Sequence, residues 1–196
     1  MAEHRGQIFY AKRYQTRLGA QLEWRWLFRL AEAGFQVAAP IGLIRSERGS
    51  MVVMTAVLGR SLDAWALTAT REGWLDEWFA YLVREVAPLT RRLHRLGWVH
   101  RDWNCAHLYA VDPRQPGAPA LIDVERVIRP SWRLQRWVIK DLASLYASCP
   151  SPMSARAALR FLRVYASDRS RSSRRALALC VQRKVARISG HTPRFG

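Results

Sequence analysis

The chain has 196 residues, 49% of them apolar, enough for one hydrophobic core and, by default, one domain. Its 32 Lys and Arg against 15 Asp and Glu leave a formal charge of +17, which calls for an anionic partner without choosing among nucleic acid, lipid head groups, phosphorylated sugars and nucleotides. The polar start, with no apolar stretch of about 18 residues anywhere, predicts no signal peptide and no spanning helix, and the odd, scattered Cys105, Cys149 and Cys180 argue for reduced cytoplasmic thiols and against a zinc site or disulfide scaffold.

Residues 7–14, partly aromatic and β-branched, predict a strand. Residues 20–33 predict a helix stopped by Gly34. At about 100° per residue, Glu23 shares a face with Trp26, Leu27 and Leu30, whereas Glu32 points the opposite way, so Glu23 is placed to look inward. Pro40 to Ile44 and Ser50 to Val57 predict two further strands, joined by the turn-like Ser46-Glu47-Arg48-Gly49-Ser50. Gly59-Arg60-Ser61 then reads as a hinge between a small sheet lobe and a helical remainder. A helical pattern covers 75–96, and Pro88 is expected to end, bend or restart it. Short apolar runs in 99–112 and 119–124 flank a loop at 112–117, and helices are predicted at 134–147, 154–166 and 174–188. From Asp168 onward, Arg169, Arg171, Arg174, Arg175, Arg183, Lys184, Arg187 and Arg194 have that Asp as their only acid. This stretch is either a solvated basic helix or a surface that docks on a phosphate-rich substrate or an anionic membrane. For nucleic acid only charge speaks, since there is no zinc-finger ligand set and no aromatic RNA-binding motif.

The strongest pattern is His100-Arg101-Asp102-Trp103-Asn104-Cys105-Ala106-His107, followed by Ala120-Leu121-Ile122-Asp123-Val124-Glu125-Arg126. Phosphoryl transfer to an alcohol needs a group that orients or deprotonates the acceptor and a cationic or metal clamp on the donor phosphates. Asp102 lies in the triplet His100-Arg101-Asp102, directly after an apolar pair and on a loop, and Asp123 ends an apolar run where a short strand could present its carboxylate to Mg²⁺; the two could face one cleft. Read alone, Asp102 could instead cap a turn, Asp123 could pair with an Arg, Lys12 could belong to a basic face with Arg13 and Arg17, and His107 could be a structural histidine.

With Glu23-Trp24-Arg25 ahead of Gly34 and Lys140-Asp141-Leu142-Ala143-Ser144-Leu145-Tyr146 behind, the ordered set resembles the lipopolysaccharide core heptose kinase family, the Kdo/WaaP group of bacterial kinases related in fold to protein kinases. The resemblance runs from about Phe9 to the last residues. It implies an α+β, protein-kinase-like two-lobed fold: a reduced N-terminal sheet lobe over 1–57 and a C-terminal helical catalytic lobe with a basic tail over 58–196. It implies Asp102 as the base for the acceptor hydroxyl, Asp123 as the metal ligand, and Lys12 as the contact to the ATP phosphates with Glu23 as its ion partner. His107 stands where protein kinases carry a metal-holding Asn, and Asp141 resembles a buried Asp that steadies the catalytic loop. With Lys12 only twelve residues from the start, the two strands and glycine-rich loop that usually precede this lysine are expected to be missing, Gly6 being no substitute. The resemblance therefore implies an ATP- and Mg²⁺-dependent sugar kinase acting on a heptose hydroxyl of the anionic lipopolysaccharide inner core, cytoplasmic and peripheral to the inner membrane. The alternatives are a pseudokinase that binds lipopolysaccharide or anionic membrane without phosphotransfer and, among enzymes, a protein kinase.

Overall fold

A four-stranded antiparallel sheet opens the chain: β1 (Ala2–His4), β2 (Gln7–Tyr14), β3 (Pro40–Ser46) and β4 (Gly49–Thr55), in the order β1-β2-β4-β3. This computed structural model describes residues 2–4, 7–46, 49–150 and 153–189; Gly6, Glu47, Arg48 and Arg194, named above, lie outside the described residues. β1 was not anticipated from sequence, because three residues are too few for an alternation to show; it pairs with the start of β2, from Ala2 opposite Phe9 to His4 opposite Gln7. The β2–β4 register sets Lys12 opposite Val52.

Helix α1 (Arg17–Glu32) crosses behind the sheet. The Thr16 hydroxyl caps it by accepting from the Gly19 N–H at 3.3 Å. Its inward stripe is Ala20, Glu23, Trp26, Leu27 and Leu30, as the helical spacing requires, and Glu32 is exposed. Past the helix the chain turns through Gly34 at φ 74°. The Gln36 carbonyl then accepts from the Leu121 N–H at 2.8 Å, which ties the end of α1 to the center of the molecule.

A second, three-stranded sheet is built from β5 (Arg60–Ser61), β6 (Leu108–Ala110) and β7 (Ala120–Leu121). Gly59 enters it at φ 95°, where a Cβ would lie 2.2 Å from the Ala110 carbonyl oxygen, so only glycine fits this passage between the two sheets. Helices α2 (Leu62–Glu72), α3 (Leu75–Tyr81), α4 (Ala87–Arg95), α5 (Leu134–Ala147), α6 (Ala155–Tyr165) and α7 (Arg171–Ser189) make up the remainder. Sequence periodicity did not pick out α2, whose inward residues behind Leu62 are the small Ala66 and Ala69 and the polar Thr68. Pro88 acts as expected: a π turn at Leu82–Val86 interrupts the helix, and Pro88 sits in the first turn of α4, where no N–H is needed. The core gathers Trp78, Leu82, Leu93, Trp103, Leu108 and Leu121, and α7 packs on α5. The fold is thus α+β, a sheet lobe with one helix followed by a helical lobe.

Candidate active site

Antiparallel pairing of β6 with β7 sets Leu108 opposite Leu121, and the Ile122 N–H donates to the His107 carbonyl at 3.1 Å. Whatever immediately precedes β6 and follows β7 must therefore meet at one end of this hairpin. One ligand atom each from Asp102, His107 and Asp123 lies within 4.8 Å of the others.

The loop carrying Asp102 is fixed from below. Asp141 on α5, fully buried, accepts from the His100 N–H at 2.7 Å and the Arg101 N–H at 2.9 Å. The Lys140 ammonium donates to the Arg101 carbonyl. Arg101 adopts φ 68° and Asp123 φ 55°, left-handed conformations that cost a non-glycine residue about 1 kcal/mol or more and persist only where the surroundings hold them. Asn104 closes the loop: its amide oxygen accepts from the His107 N–H at 3.2 Å, and its Nδ2 donates to Asp102 Oδ1 at 3.2 Å. His107 Nδ1 lies 2.9 Å from the Asp102 carbonyl oxygen and must donate to it, which turns Nε2 toward Asp123, 3.8 Å from its Oδ2.

Residues from the sheet lobe meet this end. Lys12 on β2 contacts Asp123 directly, with Glu23 at 3.4 Å and Glu125 at 3.3 Å. Glu23, buried on the inner face of α1, also accepts from the Glu125 N–H at 2.8 Å, so it holds both the lysine and the segment after Asp123. Burial lowers the affinity of the Lys12 ammonium for its proton, but Glu23, Asp123 and Glu125 outweigh it and hold the group above the usual lysine range. Burial pushes the Glu23 carboxyl up, Lys12 opposing it only in part. For Asp123, burial acts upward too, but the hydrogen bond and charge of Lys12 win and keep it below the usual carboxylate range.

Three carboxylates around one ammonium leave two negative charges uncompensated. Glu23, Asp123 and Glu125 offer oxygens within 4.8 Å of one another, and Asp123 also belongs to the Asp102–His107 group. A hard divalent cation fits such oxygen donors, with Asp123 common to both groups.

All five residues singled out from sequence, Lys12, Glu23, Asp102, His107 and Asp123, come together here, with Asp141 beneath them. Three neighbors were not singled out. Glu125 pairs with Lys12, Asn104 braces Asp102, and Arg126 Nη1 lies 3.4 Å from Asp102 Oδ2. The available signals were the placement of Asn104 between Asp102 and His107, and of an acid and a base two and three residues after Asp123.

The model of the lipopolysaccharide kinase (Kdo/WaaP) family matches residues 7–165. The chain is 30% identical over 198 aligned positions to lipopolysaccharide core heptose(I) kinase WaaP of Pseudomonas aeruginosa, covering 91% of this chain and 72% of that protein. To the protein of the same name from Escherichia coli it is 26% identical, covering 76% of this chain and 60% of that protein. Among solved structures, WaaP in complex with acyl carrier protein superposes with a TM-score of 0.74 at 27% identity, over 95% of this chain and 82% of that one. An aminoglycoside-3'-phosphotransferase of type VIII superposes with a TM-score of 0.65 at 19% identity, over 90% and 85%, a likeness of fold alone. The chain belongs to the lipopolysaccharide kinase (Kdo/WaaP) family, with the protein-kinase-like fold that these phosphotransferases share.

Proposed function

We propose that the protein is an ATP-dependent sugar kinase that phosphorylates a hydroxyl of an inner-core heptose of lipopolysaccharide. The observation that carries this reading is the convergence of Lys12 and Glu23 from the sheet lobe with Asp102, His107 and Asp123 from the β6–β7 end. Family membership and the heptose(I) kinase relatives support the acceptor class.

Asp102 takes the proton of the attacking hydroxyl, its carboxylate held in place by Asn104 and Arg126. Lys12 neutralizes charge on the donor phosphates, and Glu23 keeps that ammonium in place and protonated. Asp123, with His107 or Glu125 beside it, holds the metal. When bound, ATP supplies the phosphoryl group and Mg²⁺ offsets the charge on its oxygens. On this reading residues 1–57 cover the nucleotide and 58–196 carry the acceptor side. The outward Arg171, Arg175, Arg183 and Arg187 of α7 draw the protein to an anionic glycolipid on the cytoplasmic leaflet; among the described residues no helix is long and apolar enough to cross a membrane.

The solved WaaP structure is a complex with acyl carrier protein, and the same partner is proposed for this chain. An apolar cavity of about 410 Å³ between α5, α6 and α7, lined by Leu142, Leu145, Met153, Phe161, Leu162 and Val181, offers room for apolar chain atoms. Co-elution with acylated but not unacylated carrier protein would support the pairing, and equal behavior of the two would remove it.

The function is tested with labeled ATP, Mg²⁺ and dephosphorylated core oligosaccharide. Label should enter the sugar with the native protein and not with Asp102→Asn. Absence of label with the native protein rejects the kinase reading.

A further inference from the structure

The donor side of the cleft is short of positive charge; beside Asp102 the imbalance reverses. Arg101, Arg126 and Lys140 gather there. Arg126 is 45% exposed and reaches Asp102, while the Arg101 guanidinium lies 5.2 Å from the Trp137 ring center, with Lys140 Nζ 5.9 Å from the same ring. With the Arg136 guanidinium 6.0 Å from the same center, Trp137 is a platform for three cations, of which Arg101 and Lys140 adjoin the Asp102 loop. Arg101 Nε is buried and has no hydrogen-bond partner among the described residues.

The acids nearby do not balance this group. Asp141 and Asp102 bring two negative charges, both felt by Lys140, against the three positive charges of Arg101, Arg126 and Lys140, leaving about one in excess. Burial, and then repulsion from Arg126, holds the Lys140 ammonium below the usual lysine range. Half-buried like charges with an idle donor cost stability unless a counter-ion completes them.

We infer that Arg101, Arg126 and Lys140 form a binding site for an anionic group, a carboxylate or a phosphate, carried by the acceptor sugar or the residue next to it. The inference rests on the kinase reading for its assignment to the acceptor, because Arg126 touches the proposed base. An anion seated on Arg126 stands next to the Asp102 carboxylate, so it fixes which neighboring hydroxyl the base meets. The site then selects among hydroxyls by their distance from an acidic substituent, as bidentate guanidinium recognition allows.

The test is calorimetric titration of the full chain, without ATP, with three probes: deacylated core oligosaccharide, the same after methyl esterification of its carboxylates, and the same after phosphatase treatment. The untreated probe should bind about tenfold or more tightly than at least one treated form, and the treatment that costs affinity names the anion. Arg101→Gln and Lys140→Gln, made separately in case one fails to fold, should each lower affinity for the untreated probe about tenfold and abolish the preference, while ATP affinity stays within about twofold. Equal affinity for all three probes, or a preference that survives in a folded variant, overturns the inference. Because binding is read without turnover, a protein that shows the preference but transfers no phosphoryl group loses the kinase reading and keeps the anion site.

Discussion

Replacing Asp141 measures how firmly the loop bearing the proposed base is held. Its carboxylate is wholly buried, and its two oxygens accept the His100 and Arg101 amides at 2.7 and 2.9 Å. Asp141→Asn keeps the volume and one acceptor but turns an NH₂ toward the other amide. The loss is one charge-assisted hydrogen bond, about 1.5–3 kcal/mol, reduced by whatever the buried carboxylate cost in desolvation. Asp141→Leu orphans both amides and should cost about 3–6 kcal/mol. In a chain of this size 1 kcal/mol moves the thermal midpoint by about 2–4 °C, so the Asn variant should melt about 3–12 °C lower. Urea unfolding, with its slope checked for two-state behavior, gives the free energy directly. The Arg101 backbone at φ 68° is held partly by this contact, so phosphotransfer should fall more than stability does at temperatures where the variant is folded. An Asn variant within about 0.5 kcal/mol of the native protein and fully active would refute the account of the loop.

Asp102→Asn should lower kcat about 10²- to 10⁴-fold with ATP affinity unchanged, measured by steady-state kinetics and nucleotide titration; near-native turnover removes Asp102 as the base. Asp123→Asn should abolish the rise in thermal midpoint that Mg²⁺ with ATP gives the native protein, and a retained rise assigns the metal elsewhere. Burial lowers the His100 pKa to about 4 from 6.5, so the unfolded chain binds the extra proton first. Stability from this group is then full above about pH 6.5 and is lost as pH falls toward 4, by about 3 kcal/mol. His100→Gln should flatten that loss in urea titrations from pH 7 to 4; identical slopes for variant and native protein contradict it.

Sequence carried the site further than it carried the fold around it. Asp102, His107 and Asp123 were legible because a short antiparallel hairpin converts order along the chain into proximity, with few ways to do otherwise. Glu23 was legible from helical phase, since three large apolar neighbors fixed which side of α1 faces inward. Glu125 was not, because its meeting with Lys12 depends on how the sheet lobe lies against the hairpin, across more than a hundred residues of sequence, and no local period encodes that. α2 escaped because alanines make a weak stripe, and β1 because three residues show no alternation. The π turn was half visible: Pro88 announced an interruption, but how the backbone absorbs it depends on packing.

The charge distribution limits how such a site can be filled. The whole chain carries +17, so its far field draws polyanions, yet around Lys12 the near field is negative by two charges. A phosphate arriving alone would be repelled by Glu23, Asp123 and Glu125 just where the lysine should receive it. A divalent cation arriving alone is welcome there but must cross a basic surface. The two are therefore linked: each makes room for the other, and the Lys12–Asp123 contact must loosen as they enter, since one carboxylate cannot serve the ammonium and a metal equally well. On the far side of Asp102 the excess is positive, so on the proposed kinase reading an acidic acceptor and a metal-bound donor would each be held on their own side of the proposed base.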